Sequence, residues 1–226
     1  MSVFEWGARA YDLLSSHSLW REHAGGLLEY LPADDLLRVL DLGCGPGVSA
    51  FALAERLGAG VHVVGVDLAR RMLERASQHH RTEHRALKTV SFARANACLL
   101  PFADGTFDGV TGHSFLYLVP DPLGVLREAY RVLAPGGRLV MLEPRQGGSL
   151  RRAAPLGLGH AGELLRRPWA AARFTTAMVV WRFYSDWVGR LDPEGTSALL
   201  REAGFVDVGH AETLGGIAMH CFGRRP

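Results

Sequence analysis

Val39-Leu40-Asp41-Leu42-Gly43-Cys44-Gly45-Pro46-Gly47 is an apolar run that breaks directly into three glycines at alternate positions. Val48-Ser49-Ala50-Phe51-Ala52-Leu53-Ala54 follows as the start of a helix. Together they read as a buried strand, a tight turn and a helix. An open α/β sheet builds a nucleotide-type pocket in this way, at the carboxyl end of its first strand. Glycine suits the turn because the backbone bends sharply and approaches a ligand with no Cβ in the way. The spacing is Gly43-x-Gly45-x-Gly47, and Val48 stands where a dinucleotide fingerprint needs its third glycine. That disfavours a nicotinamide oxidoreductase.

The next apolar run, Val61-His62-Val63-Val64-Gly65-Val66-Asp67, ends on an acid. A carboxylate about 20 residues beyond the glycines can accept from ribose hydroxyls. Its plainer role is to cap a helix starting near Leu68, and the two roles are compatible.

Outward from these blocks the chain alternates short apolar strands with helices. Strands are expected near 37–42, 61–66, 89–94, 107–112 and 137–143, and helices near 48–57, 69–80 and 122–133. This alternation predicts an α/β fold with a parallel sheet covered on both faces. Upstream, Phe4, Ala8, Tyr11, Leu14, Leu19-Trp20, Leu27-Leu28 and Leu31 recur at helical intervals over 3–31, with Ser18 and Pro32 as boundaries. Residues 146–190 break the rhythm and read as an inserted, mostly helical cap. A helix near 193–203 with Gly204 at its C-cap follows, then strands near 205–212 and 216–223. The expected organisation is one domain over 1–226. It comprises N-terminal helices to 35, a cofactor-binding core over 36–145, the cap over 146–190, and a C-terminal helix with edge strands over 191–226.

Bulk properties narrow the function classes. Of 226 residues, 48% are hydrophobic, enough for a sizeable core, and the formal charge of +2 gives no global field of the kind that marks a nucleic-acid binder. Cys44, Cys98 and Cys221 lie far apart, without metal-ligand spacing or a disulfide pattern, which fits a reducing, cytoplasmic setting. No signal peptide and no membrane-spanning run is expected.

The blocks in sequence resemble the class I S-adenosylmethionine (SAM)-dependent methyltransferases. Ala95-Asn96-Ala97-Cys98-Leu99-Leu100-Pro101-Phe102 is similar to that family's adenine-side loop, and Thr106-Phe107-Asp108-Gly109-Val110 to its fourth strand. Val119-Pro120-Asp121-Pro122 leads into Leu126 to Leu139, which resembles the helix, turn and fifth strand. The resemblance covers residues 36–145. It implies a Rossmann-like, seven-stranded, mostly parallel sheet with an antiparallel C-terminal edge hairpin, and SAM as cofactor.

The resemblance also implies roles. Gly43, Cys44, Gly45 and Gly47 would let the backbone approach the amino-acid tail and ribose. Asp41 would accept from the tail ammonium, or bond the loop's own N–H groups. Asp67 would take the ribose hydroxyls. Asn96 would present its amide to the adenine edge, with the backbone of Ala97 and Cys98 alongside. Leu68 would cover an adenine face or serve as a core leucine. Tyr11 would lie across the cofactor or pack as an amphipathic core aromatic.

Methyl transfer is an in-line displacement that needs neither metal nor covalent intermediate. The protein positions and desolvates, and a base helps only when the acceptor must lose a proton. His113, after the fourth strand, is expected as that base or as a structural ligand of a loop carbonyl. Tyr117 is expected as a pocket wall or hydrogen-bond donor, since a phenol titrates near about 10. Glu143, His160, Tyr184 and His220 are further candidates, with Glu143 equally suited to anchoring a turn and His220 to the core.

The cap sets Arg151, Arg152, Arg166, Arg167, Arg173, Arg182 and Arg190 against Glu163 and Asp186, among Trp169, Phe174, Met178, Trp181, Phe183, Tyr184 and Trp187. This composition suits a greasy acceptor pocket with a cationic rim, contact with an anionic membrane surface, or a plain helical pair. Phe4…Ala8…Ala10-Tyr11-Asp12 and Leu214-Gly215-Gly216-Ile217-Ala218-Met219-His220 resemble the two ends of the ubiquinone/menaquinone C-methyltransferases. Those enzymes carry Gly-Leu-Arg-Asn after the fourth strand, whereas this chain has Phe115-Leu116-Tyr117-Leu118. The acceptor-side residues therefore do not carry over. A small hydrophobic acceptor, such as a lipid quinol, an amine head group or a phenolic metabolite, is expected, and a homodimer is left open. The alternative is a SAM- or nucleoside-binding regulator without catalysis. A nucleic-acid partner is disfavoured by the lack of an Asn/Asp-Pro-Pro-Tyr motif and of a basic stripe.

Overall fold

The computed structural model describes residues 24–31, 36–148 and 168–226, with side chains from 176 onward in the last stretch. Tyr11, His160, Arg151, Arg152, Arg166 and Arg167 lie outside the described residues, as do most of the expected N-terminal helix and the first half of the cap.

Seven strands form one sheet in the order β3-β2-β1-β4-β5-β7-β6. They are β1 (Arg38–Leu42), β2 (His62–Asp67), β3 (Val90–Arg94), β4 (Phe107–His113), β5 (Leu133–Pro144), β6 (Val206–Thr213) and β7 (Ala218–Arg224). The first five run parallel, and β7 lies antiparallel to both β5 and β6. The helices are α1 (Val48–Leu57), α2 (Arg70–Thr82), α3 (Pro122–Val132), α4 (Pro168–Val188) and α5 (Pro193–Glu202). The chain leaves β1 toward β2 on one side and returns to β4 on the other. The crevice at the carboxyl ends of β1 and β4 is therefore the topological switch point.

Strand alternation builds two cores. Val39, Val140 and Leu142 face α1 with Phe51 and Leu53, while Leu40, Val110, Leu139 and Met141 face α3 with Leu126 and Val132. Two helix starts follow from their sequence: the Asp121 carboxylate accepts from Gly124 N–H at 2.9 Å ahead of α3, and that of Asp192 from Gly195 N–H at 2.6 Å ahead of α5. Each is followed by proline at the first helical position, where a missing N–H costs nothing. Gly204 sits just past α5 at φ +104°, the left-handed end its position in the sequence predicts.

One boundary departs from expectation. The turn expected between α3 and the fifth strand is absorbed into β5, which begins at Leu133. Phe107 pairs with Leu133, but Gly109 pairs with Arg138, so the extra residues bulge out with Gly136 at φ +82°. No helix among the described residues is long and apolar enough to cross a membrane.

Candidate functional site

The glycine loop lies at the switch point. Gly43, Gly45 and Gly47 all adopt positive φ, at 63°, 52° and 92°. A Cβ on Gly47 would stand 2.7 Å from the Phe51 ring, and one on Gly43 would fall 2.2 Å from Phe115. The loop is thus closed to any other residue at these two positions by conformation and by space. Gly47 leads into α1 with no side chain capping the helix's first turn. Cys44 is buried, and desolvation raises its thiol, so it is a wall and not a nucleophile.

Asp67 ties the loop to the second strand. Its Oδ2 accepts from Gly45 N–H at 2.9 Å and its Oδ1 from Ala69 N–H at 2.8 Å. A carboxylate has about four acceptor sites, and these two bonds use one on each oxygen. The helix itself starts one residue later than expected, with Ala69 as its N-cap.

Bonding the loop's N–H groups, one of the two roles expected of Asp41, falls to Asp67. Asp41 is fully buried beneath the loop and offers no oxygen surface to the cleft. Its Oδ2 accepts from Ser49 Oγ at 2.5 Å and its Oδ1 from Thr111 Oγ1 at 3.0 Å. Strand register makes this possible, because Asp41 and Thr111 are direct partners between β1 and β4. Burial pushes the Asp41 carboxyl up to about 7; the two hydroxyls pull it back, and the charge on Asp67 adds to the rise.

On the adenine side, Leu68 and Leu99 are 61% and 76% exposed, which removes the core-leucine reading of Leu68. Asn96 is exposed, and its Oδ1 accepts from Cys98 N–H at 3.0 Å, leaving its NH2 as the group that can meet a ligand. Ala97 and Cys98 are half-buried beside it. A clamp not anticipated from sequence holds this loop. Glu128 Oε2 accepts from Leu100 N–H at 2.8 Å, while Arg131 donates to Leu100 O at 3.1 Å, Phe102 O at 2.8 Å and Asp104 at 2.7 Å. The hydrogen bond from Arg131 holds Glu128 below the usual carboxylate range.

On the acceptor side, β4 ends at His113, which is half-buried, as is Tyr117 four residues on. Between them Ser114 takes φ +54°. Glu143, fully buried at the end of β5, accepts from Phe115 N–H at 3.1 Å, Leu116 N–H at 2.8 Å and Tyr117 N–H at 3.4 Å. It therefore anchors the turn. Desolvation pushes its carboxyl up to about 7, against the pull of those three N–H groups. His220 is buried in β7 against the Tyr30 ring, 5.2 Å between centroids.

Of the cap's seven arginines, the side chains of Arg182 and Arg190 are described. Arg182 pairs with Asp186 at 2.5 Å and donates to Gly148 O at 2.8 Å, and Arg190 pairs with the same Asp186. Among the described side chains of α4, Phe183 and Trp187 are exposed apolar groups, at 68% and 79%. Among the described residues no group of three or more His, Cys, Asp or Glu could hold a metal ion.

Comparison with known proteins places this geometry. The family profile of the methyltransferase domain matches residues 33–175. The demethylmenaquinone methyltransferase of Lactococcus lactis is 42% identical over 127 residues, 56% of this chain and 48% of that protein. Its namesake in Bacillus cereus is 37% identical over 150 residues, 64% of this chain and 61% of that protein. The chain thus spans about half to three-fifths of the length of these curated relatives. Among solved structures, a SAM-dependent methyltransferase of Thermotoga maritima superposes with a TM-score of 0.65 at 20% identity, covering 99% of this chain and 98% of that one. Phosphoethanolamine N-methyltransferase 2 of Haemonchus contortus, solved with S-adenosyl-L-methionine, gives a TM-score of 0.68 at 17% identity, covering 98% of this chain and 57% of that one. At such identities the likeness is one of fold.

Proposed function

The chain belongs to the methyltransferase domain family, and we propose that it is a SAM-dependent methyltransferase whose acceptor is a small, hydrophobic 1,4-naphthoquinol of the demethylmenaquinone type. The observation that carries the cofactor reading is the Asp67 carboxylate. It fastens the glycine loop through Gly45 N–H and stands at the end of β2, about 20 residues beyond the glycines, where a carboxylate can accept from ribose hydroxyls. The donor set fits an adenosine bearing an amino-acid tail: an acid for a diol, an amide NH2 at Asn96 for a ring nitrogen, and exposed Leu68 and Leu99 for the faces of a base. The acceptor reading draws support from the demethylmenaquinone methyltransferases that match 56% and 64% of this chain.

When bound, SAM supplies a methyl group activated on a sulfonium. Asp67 would hold the ribose, Asn96 the adenine edge, and the backbone of Gly43, Cys44, Gly45 and Gly47 the tail. Asp41 carries no contact of its own and keeps the loop, α1 and β4 in register through Ser49 and Thr111. His113 takes a hydroxyl proton from the quinol, which makes the neighbouring ring carbon a better nucleophile. Tyr117 lines the ring and donates to its second oxygen. The turn that carries them is set by Glu143. The exposed Val180, Phe183 and Trp187 of α4 suit the bilayer surface in which such a quinol dissolves.

The test is transfer of labelled methyl from SAM to a short-chain 2-prenyl-1,4-naphthoquinol kept reduced. Label in the organic extract, lowered at least tenfold by His113→Ala with S-adenosylhomocysteine affinity kept, is the expected result. Absence of label in the naphthoquinol refutes the acceptor, and an unaltered rate in His113→Ala refutes the base.

A further inference from the structure

We infer that Trp181 is a positioning residue for the acceptor turn, joining the cap to the chain just after β4. The inference rests on the reading of Ser114–Tyr117 as the acceptor side. Trp181 lies on α4 and is 8% exposed, and its Nε1 donates to Ser114 Oγ at 3.0 Å. Ser114 is 6% exposed and stands at φ +54°, a conformation that a residue with a side chain adopts only at a cost. Glycine would take that backbone without strain but could not accept the indole proton. The hydroxyl is thus the reason for a serine here. Indole and hydroxyl are both buried, so neither meets water if the bond is lost.

The turn is held from two sides. Within the sheet, Ser114 N–H donates to Leu142 O at 2.7 Å, and Glu143 gathers the next three N–H groups. From the cap side comes Trp181. The cap's remaining described ties lie at its base, where Arg182 donates to Gly148 O, Leu191 N–H to Pro144 O and Gln146 N–H to Leu191 O. Trp181 reaches the turn between His113 and Tyr117. Settling of α4 over an acceptor and ordering of that turn are therefore one event. Specificity follows, because an acceptor that does not seat the cap leaves His113 and Tyr117 poorly placed.

Trp181→Phe keeps an aromatic ring, though a smaller one, and removes the donor, while Ser114→Ala removes the acceptor. In each, amide hydrogen exchange at Phe115–Tyr117 is expected to accelerate about three- to tenfold, the worth of one hydrogen bond. The double variant should match the worse single, since both delete the same bond. With the naphthoquinol as probe, acceptor KM should rise by a similar factor, with S-adenosylhomocysteine affinity kept within twofold. Unchanged exchange in both variants overturns the inference. So do multiplied effects in the double variant, or a cofactor affinity that falls with the acceptor's. Should Trp181→Phe fail to fold, Ser114→Ala carries the test. Should the wild-type protein leave the naphthoquinol unmethylated, the acceptor reading falls, and exchange still decides on Trp181.

Discussion

Replacing Glu143 with glutamine should make the protein more stable at pH 8 and leave it nearly unchanged at pH 5. Glu143 is fully buried, and its carboxyl is raised from 4.5 to about 7, first by desolvation. The folded state therefore holds a proton that the unfolded chain has released between those values. Stability from this group is fully present below about pH 4.5 and is lost as pH rises through about 7. At ~1.4 kcal/mol per tenfold in proton concentration, that span is worth about 3 kcal/mol. Glutamine mimics the protonated side chain. Its Oε1 can keep the bonds from Phe115 and Leu116, while its NH2 faces the weakest donor, Tyr117 N–H at 3.4 Å. Allowing for that mismatch, Glu143→Gln should gain about 2 kcal/mol at pH 8, or ~4–8 °C in Tm. Urea unfolding of both proteins at pH 5 and pH 8 measures it. Asp41, raised to about 7 by burial, should leave a residual decline with pH in the variant. A wild-type stability that is flat or rising from pH 5 to 8, or a variant less stable than wild type at pH 8, would refute the reasoning.

Other substitutions probe the cofactor side. Asp67→Asn must turn an NH2 toward either Gly45 or Ala69 N–H, so S-adenosylhomocysteine affinity by calorimetry should fall at least tenfold, from about 1.5–3 kcal/mol of lost charge-assisted bonding. Gly47→Ala forces a Cβ to 2.7 Å from the Phe51 ring at φ 92°, and should cost about 1–3 kcal/mol in denaturant unfolding besides weakening the cofactor. Arg131→Met removes the donors to Leu100 and Phe102 and frees the adenine-side loop; limited proteolysis should cut within 99–105 faster, and cofactor affinity should drop about three- to tenfold.

Local patterns told most about the cofactor half. The run Val39–Gly47 announces a buried strand and a turn that only glycine can make, and both the positive φ angles and the occupied Cβ positions follow from it. Asp67 was marked by its distance from the glycines. Side chains whose partners depend on strand register were not legible in this way. Asp41 meets Thr111 because β1 and β4 align them, 70 residues apart, and no local pattern carries that pairing. The Glu128–Arg131 clamp reads in sequence as an ordinary helix ion pair, and only the path of the 99–105 loop gives it a task. Trp181 and Ser114 lie 67 residues apart, and neither segment's composition points to the other. Counting charges in the cap could not show that Arg182 and Arg190 converge on one carboxylate, Asp186.

The central claim is that the crevice between β1 and β4 takes a sulfonium nucleoside. Calorimetric titration of the purified protein with S-adenosylhomocysteine and, separately, with NAD tests it most directly. The account predicts saturable one-to-one binding of the first, at least tenfold weaker in Asp67→Asn, and none of the second. Binding of NAD with no uptake of S-adenosylhomocysteine would contradict it.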